Sequence, residues 1–354
     1  CLVGSEMCIR DSNRWLFHTD GHNDNGDSTW HLMSGGNINM NGDDLVMYTS
    51  QYHGSGNYNI GFLNEGTITT SSTGNRNYIW LPLSAGNWGG FRAMMFENKG
   101  TISLNGTGDV LSVFGSEGQA TGGISFINST GTLELNGESN KGIVVKSGLE
   151  YPSGEILLNT PMKVKGNNSV GVAFLGYIDL DGGANFHKSN ANNVIIDLPA
   201  SSRESILNVD LSDNTKSTAL YFENGGTNAF TINDFNLTST NGQKNNLVYV
   251  ANGIVNLNGT TNGQMTITGG KSNIGIYTAA SGDPLTNKGN ITISNSDSSI
   301  GILASGSGTV TNTGKISATG ASVKALVADN STITSSGKVD VTGTALSDSD
   351  GAVG

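Results

Sequence analysis

NKGNITI (residues 287–293) returns as NTGKISA (312–318) and again as SSGKVDV (335–341), and the same frame begins earlier at TNGQMTI (261–267). In each copy a glycine stands two positions before an apolar-x-apolar triplet, and these glycines follow one another after 26, 25 and 23 residues. Repeats of this length are typical of solenoids, in which each repeat is one coil stacked on the next. The repeat therefore predicts the fold, and it says little about a ligand.

Apolar and polar residues alternate within each repeat, which is typical of short strands. At Ile274-Gly275-Ile276 the alternation places the two isoleucines on one face and the glycine on the other. One coil of this length cannot bury its apolar face alone, so coils must stack as parallel strands around a common core. The sequence predicts an all-β protein, a right-handed parallel β-helix of about three strands per coil, with 23–34 residues per coil.

A column of asparagines recurs at the turns of this frame. Asparagine tolerates the left-handed backbone that tight turns need, and stacked amides can also hydrogen-bond from coil to coil as a ladder. Phenylalanines stand two positions before these asparagines in the first half of the chain, and they predict one aromatic interior column. The predicted turn ladder consists of Asn64, Asn98, Asn128, Asn287 and Asn312, and the predicted phenylalanine column of Phe62, Phe96, Phe126 and Phe222.

Composition excludes several classes of protein. Charged residues make up only 13% of the chain and its net charge is −11. Nucleic-acid binding needs a basic face, so an acidic chain argues against that partner. No apolar run reaches the length of a membrane-spanning helix, and the regular columns of Ile, Val, Leu and Phe oppose disorder.

The first twelve residues, CLVGSEMCIRDS, resemble a sequencing adapter read as coding sequence. We therefore predict that residues 1–12 are a non-native segment and leave them out of the functional argument. This removes both cysteines, Cys1 and Cys8, and with them any disulfide or thiolate chemistry.

Two short motifs resemble the repeats of large fusobacterial-type autotransporter passengers. NSVGV (168–172), SNIGI (272–276) and SSIGI (298–302) resemble their N-S-[IV]-G-[IV] units, and NKGNI (287–291) and NTGKI (312–316) resemble their N-x-G-x-I units. The resemblance implies an adhesin displayed on the bacterial surface and anchored through the outer membrane, without catalysis or cofactor. It also implies translocation by an outer-membrane barrel outside these residues, and a partner that is a host or bacterial surface glycan or protein.

Aromatic residues concentrate near the N-terminus, which would lie far from the membrane in such a passenger. We predict an aromatic-rich region of N-terminal coils over residues 13–135, and a regular stalk over 136–354 that continues beyond the C-terminus. Aromatic rings supply rigid contact area, so we expect ligand contact in the first region, although the same rings could instead cover the open end of the solenoid. The candidate ligand-binding residues are Trp15, Trp30, Tyr52, Tyr58, Trp80 and Trp88.

Enzymatic functions remain as alternative hypotheses. Polysaccharide lyases and glycoside hydrolases with this fold need clustered carboxylates on one outward face, and the relevant acids here are scattered: Asp179, Asp181, Asp197, Asp210 and Asp213. The segment His18–Asp27 carries residue types that bind metals, but its spacing departs from a calcium loop and favours a solvated turn. We predict no catalytic and no metal-binding residues, with a secreted polysaccharide enzyme as the main alternative and a phage tailspike segment as a third.

Overall fold

The computed structural model describes residues 7–8, 15–20, 28–51, 58–84, 91–114, 124–146, 155–159, 161–175, 194–197, 207–223, 229–259 and 263–344. These residues form 34 β-strands and no helix, and every strand pair is parallel. The strands fall in strict rotation into three sheets, so each coil contributes one strand to each sheet. The structure confirms the predicted all-β parallel solenoid.

Sheet A contains twelve strands, in spatial order β1 (Met7–Cys8), β4 (Asn37–Met40), β7 (Thr67–Thr70), β10 (Thr101–Leu104), β13 (Thr132–Leu135), β16 (Met162–Val164), β19 (Leu207–Asp210), β22 (Phe235–Thr240), β25 (Gln264–Thr268), β28 (Asn290–Ser294), β31 (Ile316–Ala321) and β34 (Val339–Thr344). Sheet B contains eleven, β2 (Trp15–Asp20), β5 (Val46–Gln51), β8 (Tyr78–Ser84), β11 (Val110–Phe114), β14 (Lys141–Lys146), β17 (Val170–Leu175), β20 (Thr218–Glu223), β23 (Asn246–Asn252), β26 (Ile274–Thr278), β29 (Ile300–Ser305) and β32 (Lys324–Asp329). Sheet C contains eleven, β3 (Ser28–Leu32), β6 (Tyr58–Asn64), β9 (Phe91–Asn98), β12 (Ile124–Ser129), β15 (Glu155–Asn159), β18 (Val194–Asp197), β21 (Phe230–Ile232), β24 (Val255–Leu257), β27 (Pro284–Asn287), β30 (Thr309–Asn312) and β33 (Thr332–Ser335).

The core is a continuous apolar column enclosed by the three sheets. In sheet A, Leu237, Met265, Ile291 and Ile316 stand directly above one another, and each is at most 1% exposed. Phenylalanines also fill part of the interior, where the Phe174 and Phe222 rings stack at 4.6 Å. Burying such a column is the main free-energy gain that holds the coils together.

Coil length varies more than predicted. Partners on successive coils are 23 residues apart at Asn312 and Ser335, but 48 residues apart at Ser169 and Ser217. Even so, the strands that follow the long coil return to register, because β17 pairs with β20 and β16 pairs with β19. Extra residues between strands therefore leave the stacking frame intact.

The repeated glycines are explained by the close approach of neighbouring coils. A Cβ atom added at Gly314 would overlap the carbonyl oxygen of Gly289, and one added at Gly337 would overlap that of Gly314. The backbones approach so closely at this turn that a side chain has no room. The feature that reveals the fold in the sequence is thus a steric requirement of stacking.

The glycine of the SNIGI unit lies inside the solenoid, contrary to the face predicted for it. Gly275 and Ile276 are both buried, whereas Ile274 is half-buried on the outside. A Cβ at Gly275 would lie 2.6 Å from the Gly301 carbonyl oxygen and 3.1 Å from a methyl carbon of Ile291. The register is continuous here, because Ile274 pairs with Ile300 and Ile276 with Ile302 at the same offset. Two consecutive residues, Gly275 and Ile276, face the interior, so strict alternation does not apply.

Candidate functional site

Sheet B carries a row of tyrosines on its outer face. Tyr221, Tyr249 and Tyr277 stand opposite one another in β20, β23 and β26, each half-buried between two buried interior residues. Tyr249, for example, is flanked by Val248 and Val250, both 0% exposed. Because the flanking side chains fix each strand against the core, the three rings are held outward by a rigid support. We call these three residues the tyrosine row.

The rings of the tyrosine row contact each other along the solenoid axis. Tyr249 and Tyr277 are stacked, with ring centroids 4.9 Å apart and planes 16° apart. Tyr221 meets Tyr249 edge-on, at 5.4 Å and 80°. Both arrangements are favourable aromatic geometries, so the row is ordered before any partner arrives.

Hydrogen bonds orient the phenols at both ends of the row. The Tyr221 hydroxyl donates to Glu223 Oε2 at 2.7 Å, and the Ser305 hydroxyl donates to the Tyr277 oxygen at 3.2 Å. Burial raises the pKa of the Tyr221 phenol, and the neighbouring Glu223 carboxylate raises it further. Burial also raises the pKa of Tyr249, with Tyr277 and Glu223 adding to the effect. Tyr221 and Tyr249 therefore stay protonated at neutral pH and keep their phenols as hydrogen-bonding groups.

The outer face of sheet B remains apolar beyond the row. Leu303 and Val327 continue the same column on the next two coils, and both are half-buried. Ile274 and Ile300 form a second outward column on β26 and β29. Aromatic and aliphatic side chains together give this face a continuous apolar contact surface.

A buried ladder of polar side chains fixes the corner from which these strands of sheet B emerge. Each backbone N–H donates to the side-chain oxygen of the equivalent residue on the next coil, over 2.8–3.1 Å. We call this set the corner ladder, and it consists of Asn77, Asp109, Asn140, Ser169, Ser217, Asn245, Asn273 and Ser299. It explains the second residue of the NSVGV, SNIGI and SSIGI motifs, because Ser169, Asn273 and Ser299 supply the buried acceptors.

One of the aromatic residues predicted to bind a ligand near the N-terminus lies in the core instead. Trp80 is 0% exposed, and its ring packs in the core at 5.8 Å from Phe62 and 5.9 Å from Phe96. A surface ligand cannot reach it, so Trp80 is a packing residue rather than a ligand-binding one. Trp30 is half-buried and packs against the same core.

The other predicted ligand-binding residues have only partial structural information. Trp15 lies in β2 and Tyr58 in β6, and the structure describes the backbone of these positions but not their side chains. Tyr52 and Trp88 lie outside the described residues. Their predicted role in ligand contact remains a prediction.

Asparagine amides do form hydrogen bonds from coil to coil at the predicted turn. Asn64 Nδ2 donates to Asn98 Oδ1 at 2.7 Å, and Asn287 Nδ2 donates to Asn312 Oδ1 at 2.8 Å. Each series ends on a serine hydroxyl, because Asn98 donates to Ser129 and Asn312 donates to Ser335, both at 3.0 Å. All four asparagines are 0% exposed, so the bonds are made away from water.

Asn128 does not belong to this turn ladder. Sheet C pairs Ser129 with Asn98 and places Asn128 opposite Glu97. The same shift puts Phe126 opposite Met95, and Ile127 takes the place opposite Phe96. One extra turn residue before Gly131 causes the shift, since Ser129 and Asn98 each lie two positions before their glycine.

Phe222 lies in another sheet from the predicted phenylalanine column. It belongs to β20 of sheet B, where it pairs with Phe174 and Val250. Phe62 and Phe96 pair with each other in sheet C, with rings stacked at 5.3 Å. The shared Phe-Glu-Asn sequence had suggested one column, but the two copies occupy different sides of the coil.

Of the carboxylates considered for catalysis, Asp210 has a structural role. Asp210 accepts hydrogen bonds from the Ser212 hydroxyl, from the Ser212 N–H at 3.1 Å and from the Thr238 hydroxyl at 2.9 Å. Asp213 is exposed at the corner, and Asp197 ends β18. Asp179 and Asp181 lie outside the described residues, as do residues 21–27 of the segment His18–Asp27. Within the described ranges, no three His, Cys, Asp or Glu side chains are grouped so as to hold a metal ion.

A small ionic cluster lies on the surface near the N-terminal end of the described chain. His31 Nε2 lies 2.9 Å from Glu65 Oε2, and Lys99 Nζ lies 3.7 Å from Glu65 Oε1. The hydrogen bond with His31 is the main cause that lowers the pKa of Glu65, and Lys99 adds to it. All three side chains are well exposed to solvent, so the cluster contributes little to stability.

The tyrosine row was not predicted from the sequence, because the prediction used the repeats of glycine, asparagine and phenylalanine. Its signal is nevertheless present, since Tyr221, Tyr249 and Tyr277 recur at a constant spacing of 28 residues. That spacing matches the offset between corner-ladder partners on the same coils, such as Ser217 and Asn245. A residue that repeats in phase with the coil must form a row on the surface or in the core.

Comparisons with protein-family models, with curated proteins and with solved structures find no match. Across the residues that the structure describes, no helix is long and apolar enough to cross a membrane.

Proposed function

We propose that this chain is a contact segment of a bacterial surface adhesin, built as an autotransporter-type passenger that binds its partner without catalysis. The tyrosine row carries the proposal, because it is a pre-ordered aromatic surface on the outside of a rigid solenoid. Tyrosine supplies large contact area at low entropic cost and is enriched at interface hot spots. The motif resemblance supports a position on the cell surface, with an anchor in the outer membrane and a host or bacterial glycan or protein as the proposed partner.

The solenoid itself supports a role in display. Coils stack as nearest neighbours, so an array of them holds a surface at a distance from its anchor without a large globular core. The apolar outer face of sheet B adds contact area on β26 and β29 beyond the row itself.

Adhesion of protein-coated beads to host epithelial cells and to partner bacteria tests this proposal. We expect the wild-type chain to adhere and the variant Tyr221→Ser/Tyr249→Ser/Tyr277→Ser to lose most of that adhesion. Because the rings point outward, their removal should leave the far-ultraviolet circular dichroism spectrum unchanged.

A matched control changes half-buried outward residues of another sheet on neighbouring coils, as in Thr266→Ala/Thr292→Ala in sheet A. This control should adhere like the wild type. Wild-type beads that adhere to no cell type would overturn the proposal. Turnover of polygalacturonate by the purified chain would favour the alternative, a secreted polysaccharide enzyme.

A further inference from the structure

Three lysines line the corner next to the tyrosine row. Lys216 and Lys244 occupy equivalent positions on two successive coils, and Lys271 lies on the third coil one position earlier in the turn, opposite Gln243. All three lie at the turn between sheets A and B, just before β20, β23 and β26. Backbone hydrogen bonds hold the corner, because the Lys216 N–H donates to Gln243 O at 2.9 Å and the Lys244 N–H donates to Lys271 O at 3.0 Å. Coils rise by roughly 4.8 Å each, so the three cations crowd within a short distance along the axis. We call them the lysine strip.

No acidic side chain pairs with the lysine strip in the part of the chain that the structure describes. The salt bridges formed there by lysines involve Lys99, Lys165, Lys315 and Lys338 instead. Asp213 and Asp297 lie on the turns at the two ends of the strip and bound it, without an ion pair to it. Neighbouring like charges repel, so an anion bound between them would be favoured.

The surface between lysines and tyrosines carries no charge. The column that begins β20, β23 and β26 consists of Thr218, which is buried, and of Asn246 and Ile274, which are half-buried. Moving around the coil, the outer face thus presents a cationic row, a neutral row and an aromatic row. The chain as a whole is acidic, with a net charge of −11, so these lysines beside the aromatic row differ in charge from the protein as a whole.

This order of rows matches the chemistry of an acidic polysaccharide. Lysine ammonium groups act as point charges for carboxylate or sulfate groups, and they do so best without an internal partner. Tyrosines offer apolar ring surface to the C–H groups of a sugar and phenols to its hydroxyls. The ring centroids follow one another at 5.4 and 4.9 Å along the solenoid axis, so an extended chain lying along that axis would contact all three tyrosines.

We propose that the outer face of β20, β23 and β26 binds an acidic polysaccharide, with its negative groups at the lysine strip and its sugar rings at the tyrosine row. This inference rests on the proposed adhesin function and specifies the partner of the same surface. It assigns the charge preference to Lys216, Lys244 and Lys271, and the affinity for sugar rings to Tyr221, Tyr249 and Tyr277.

Biolayer interferometry of the full chain against immobilised hyaluronan, heparin and neutral dextran tests the inference. We expect binding to hyaluronan or heparin at low salt, weakening with ionic strength, and none to dextran. The hyaluronan and heparin arms distinguish carboxylate from sulfate as the recognised group. The variant Lys216→Gln/Lys244→Gln/Lys271→Gln should bind about tenfold more weakly, since exposed ion pairs are individually modest.

The matched control is Lys288→Gln/Lys315→Gln/Lys338→Gln, which removes the same charge from another corner. There Lys315 and Lys338 lie 3.8 and 2.9 Å from Asp340, so those lysines already have a carboxylate partner. This control should bind acidic glycans like the wild type. If both triple variants lose the same amount of binding to acidic glycans, the loss reflects net charge alone and the inference is overturned. Binding to dextran as strong as to the acidic glycans would also overturn it.

Cell adhesion separates failure of this inference from failure of the proposed function. The lysine-strip variant could adhere to cells like the wild type while the tyrosine-row variant does not. That result would support the proposed adhesin function and exclude an acidic glycan as the partner. Adhesion that survives periodate treatment of the cells but not trypsin would identify a protein partner, which also overturns the inference. Adhesion lost after periodate and in both variants would support it.

Discussion

Asp109 stands at a position of the corner ladder where the other described coils have asparagine or serine. It is 0% exposed, its Oδ1 accepts the Asn77 N–H at 2.9 Å, and its Oδ2 accepts the Gly106 N–H at 3.0 Å. Burial raises the pKa of Asp109, and the hydrogen bonds from Thr70, Asn77 and Gly106 offset only part of that rise. A single residue thus makes this coil sensitive to pH.

Asp109→Asn should remove a pH dependence of stability. Because the folded pKa lies above the unfolded one, the stability associated with this group is complete below about pH 4. It is lost as the pH rises through the folded value. We therefore expect the variant to gain stability relative to the wild type between pH 4 and pH 7, measured as urea unfolding midpoints.

The reverse change provides the control. Asn140 is the next member of the corner ladder, and Asn140→Asp places a second carboxylate in the buried series. This variant should lose stability relative to the wild type over the same pH range. Parallel midpoint curves for the wild type and Asp109→Asn would contradict the assignment.

At the scale of the strand and its turn, the turn ladder joins sheet C of one coil to the next. Asn287 Nδ2 donates to Asn312 Oδ1 at 2.8 Å and to Gly289 O at 2.9 Å, and Asn287 Oδ1 accepts the Gly289 N–H at 3.1 Å. Each amide therefore closes its own turn and contacts the next coil. The neighbouring glycine is needed because a Cβ at Gly289 would lie 2.6 Å from a ring carbon of Phe235.

Asn287→Ala should destabilise the protein by about 2–4 kcal/mol, because it leaves three buried hydrogen-bonding groups without partners. Chemical denaturation measures this loss. In a double-mutant cycle, Asn312→Ala should cost less in the Asn287→Ala background than in the wild type, because the two amides share a hydrogen bond. Strictly additive effects would argue against a ladder.

Asn256→Ala is the matched control for this prediction. Asn256 is half-buried on sheet C, and its amide reaches only Thr231 Oγ1, at 3.5 Å. Its replacement should cost about 0.5 kcal/mol or less, as for an ordinary surface substitution.

At the scale of the whole molecule, the coils form a one-dimensional array in which each contacts its neighbours. Every strand pair joins consecutive coils, from β1–β4 in sheet A to β30–β33 in sheet C. Stability in such arrays is close to a sum over coils and their interfaces. An insertion between strands is tolerated, as the 48-residue offset between Ser169 and Ser217 shows.

Deletion of residues 288–312 should leave a folded solenoid that is one coil shorter. Asn287 and Asn312 are 25 residues apart and occupy equivalent positions, so the deletion joins Asn287 to Thr313 and restores the Asn-x-Gly-x-Ile turn. All three sheets keep their register. Circular dichroism and a cooperative thermal transition, at a lower temperature than in the wild type, would check this.

Deletion of residues 288–299 is the control. It removes β28 and about half a coil, so the strands that follow would face the wrong sheets. We expect this variant to aggregate or to lose its cooperative transition. Equal folding of the two deletions would contradict the array description.

The fold was predictable because its requirements are local and repeated. Gly314 and Gly337 have no space for a side chain, and Asn287 and Asn312 must close the same turn, so these residue types recur with the coil. The candidate site was only partly predictable. Trp80 is an aromatic residue of the kind common at binding sites, but it lies in the core. No local sequence pattern distinguishes a buried tryptophan from one that binds a ligand.

The sequence by itself determined that coils stack, where they turn, and that parallel strands enclose one apolar column, because each coil repeats the same steric and hydrogen-bonding needs. Only the tertiary structure decided which residues share a column. Ser129 rather than Asn128 faces Asn98, and Phe222 lies in sheet B rather than sheet C, because turn length and coil closure fix the register. The same closure gathers Lys216, Lys244 and Lys271 beside the three tyrosines. The neighbours that form this surface lie one coil apart in sequence, and only stacking brings them together.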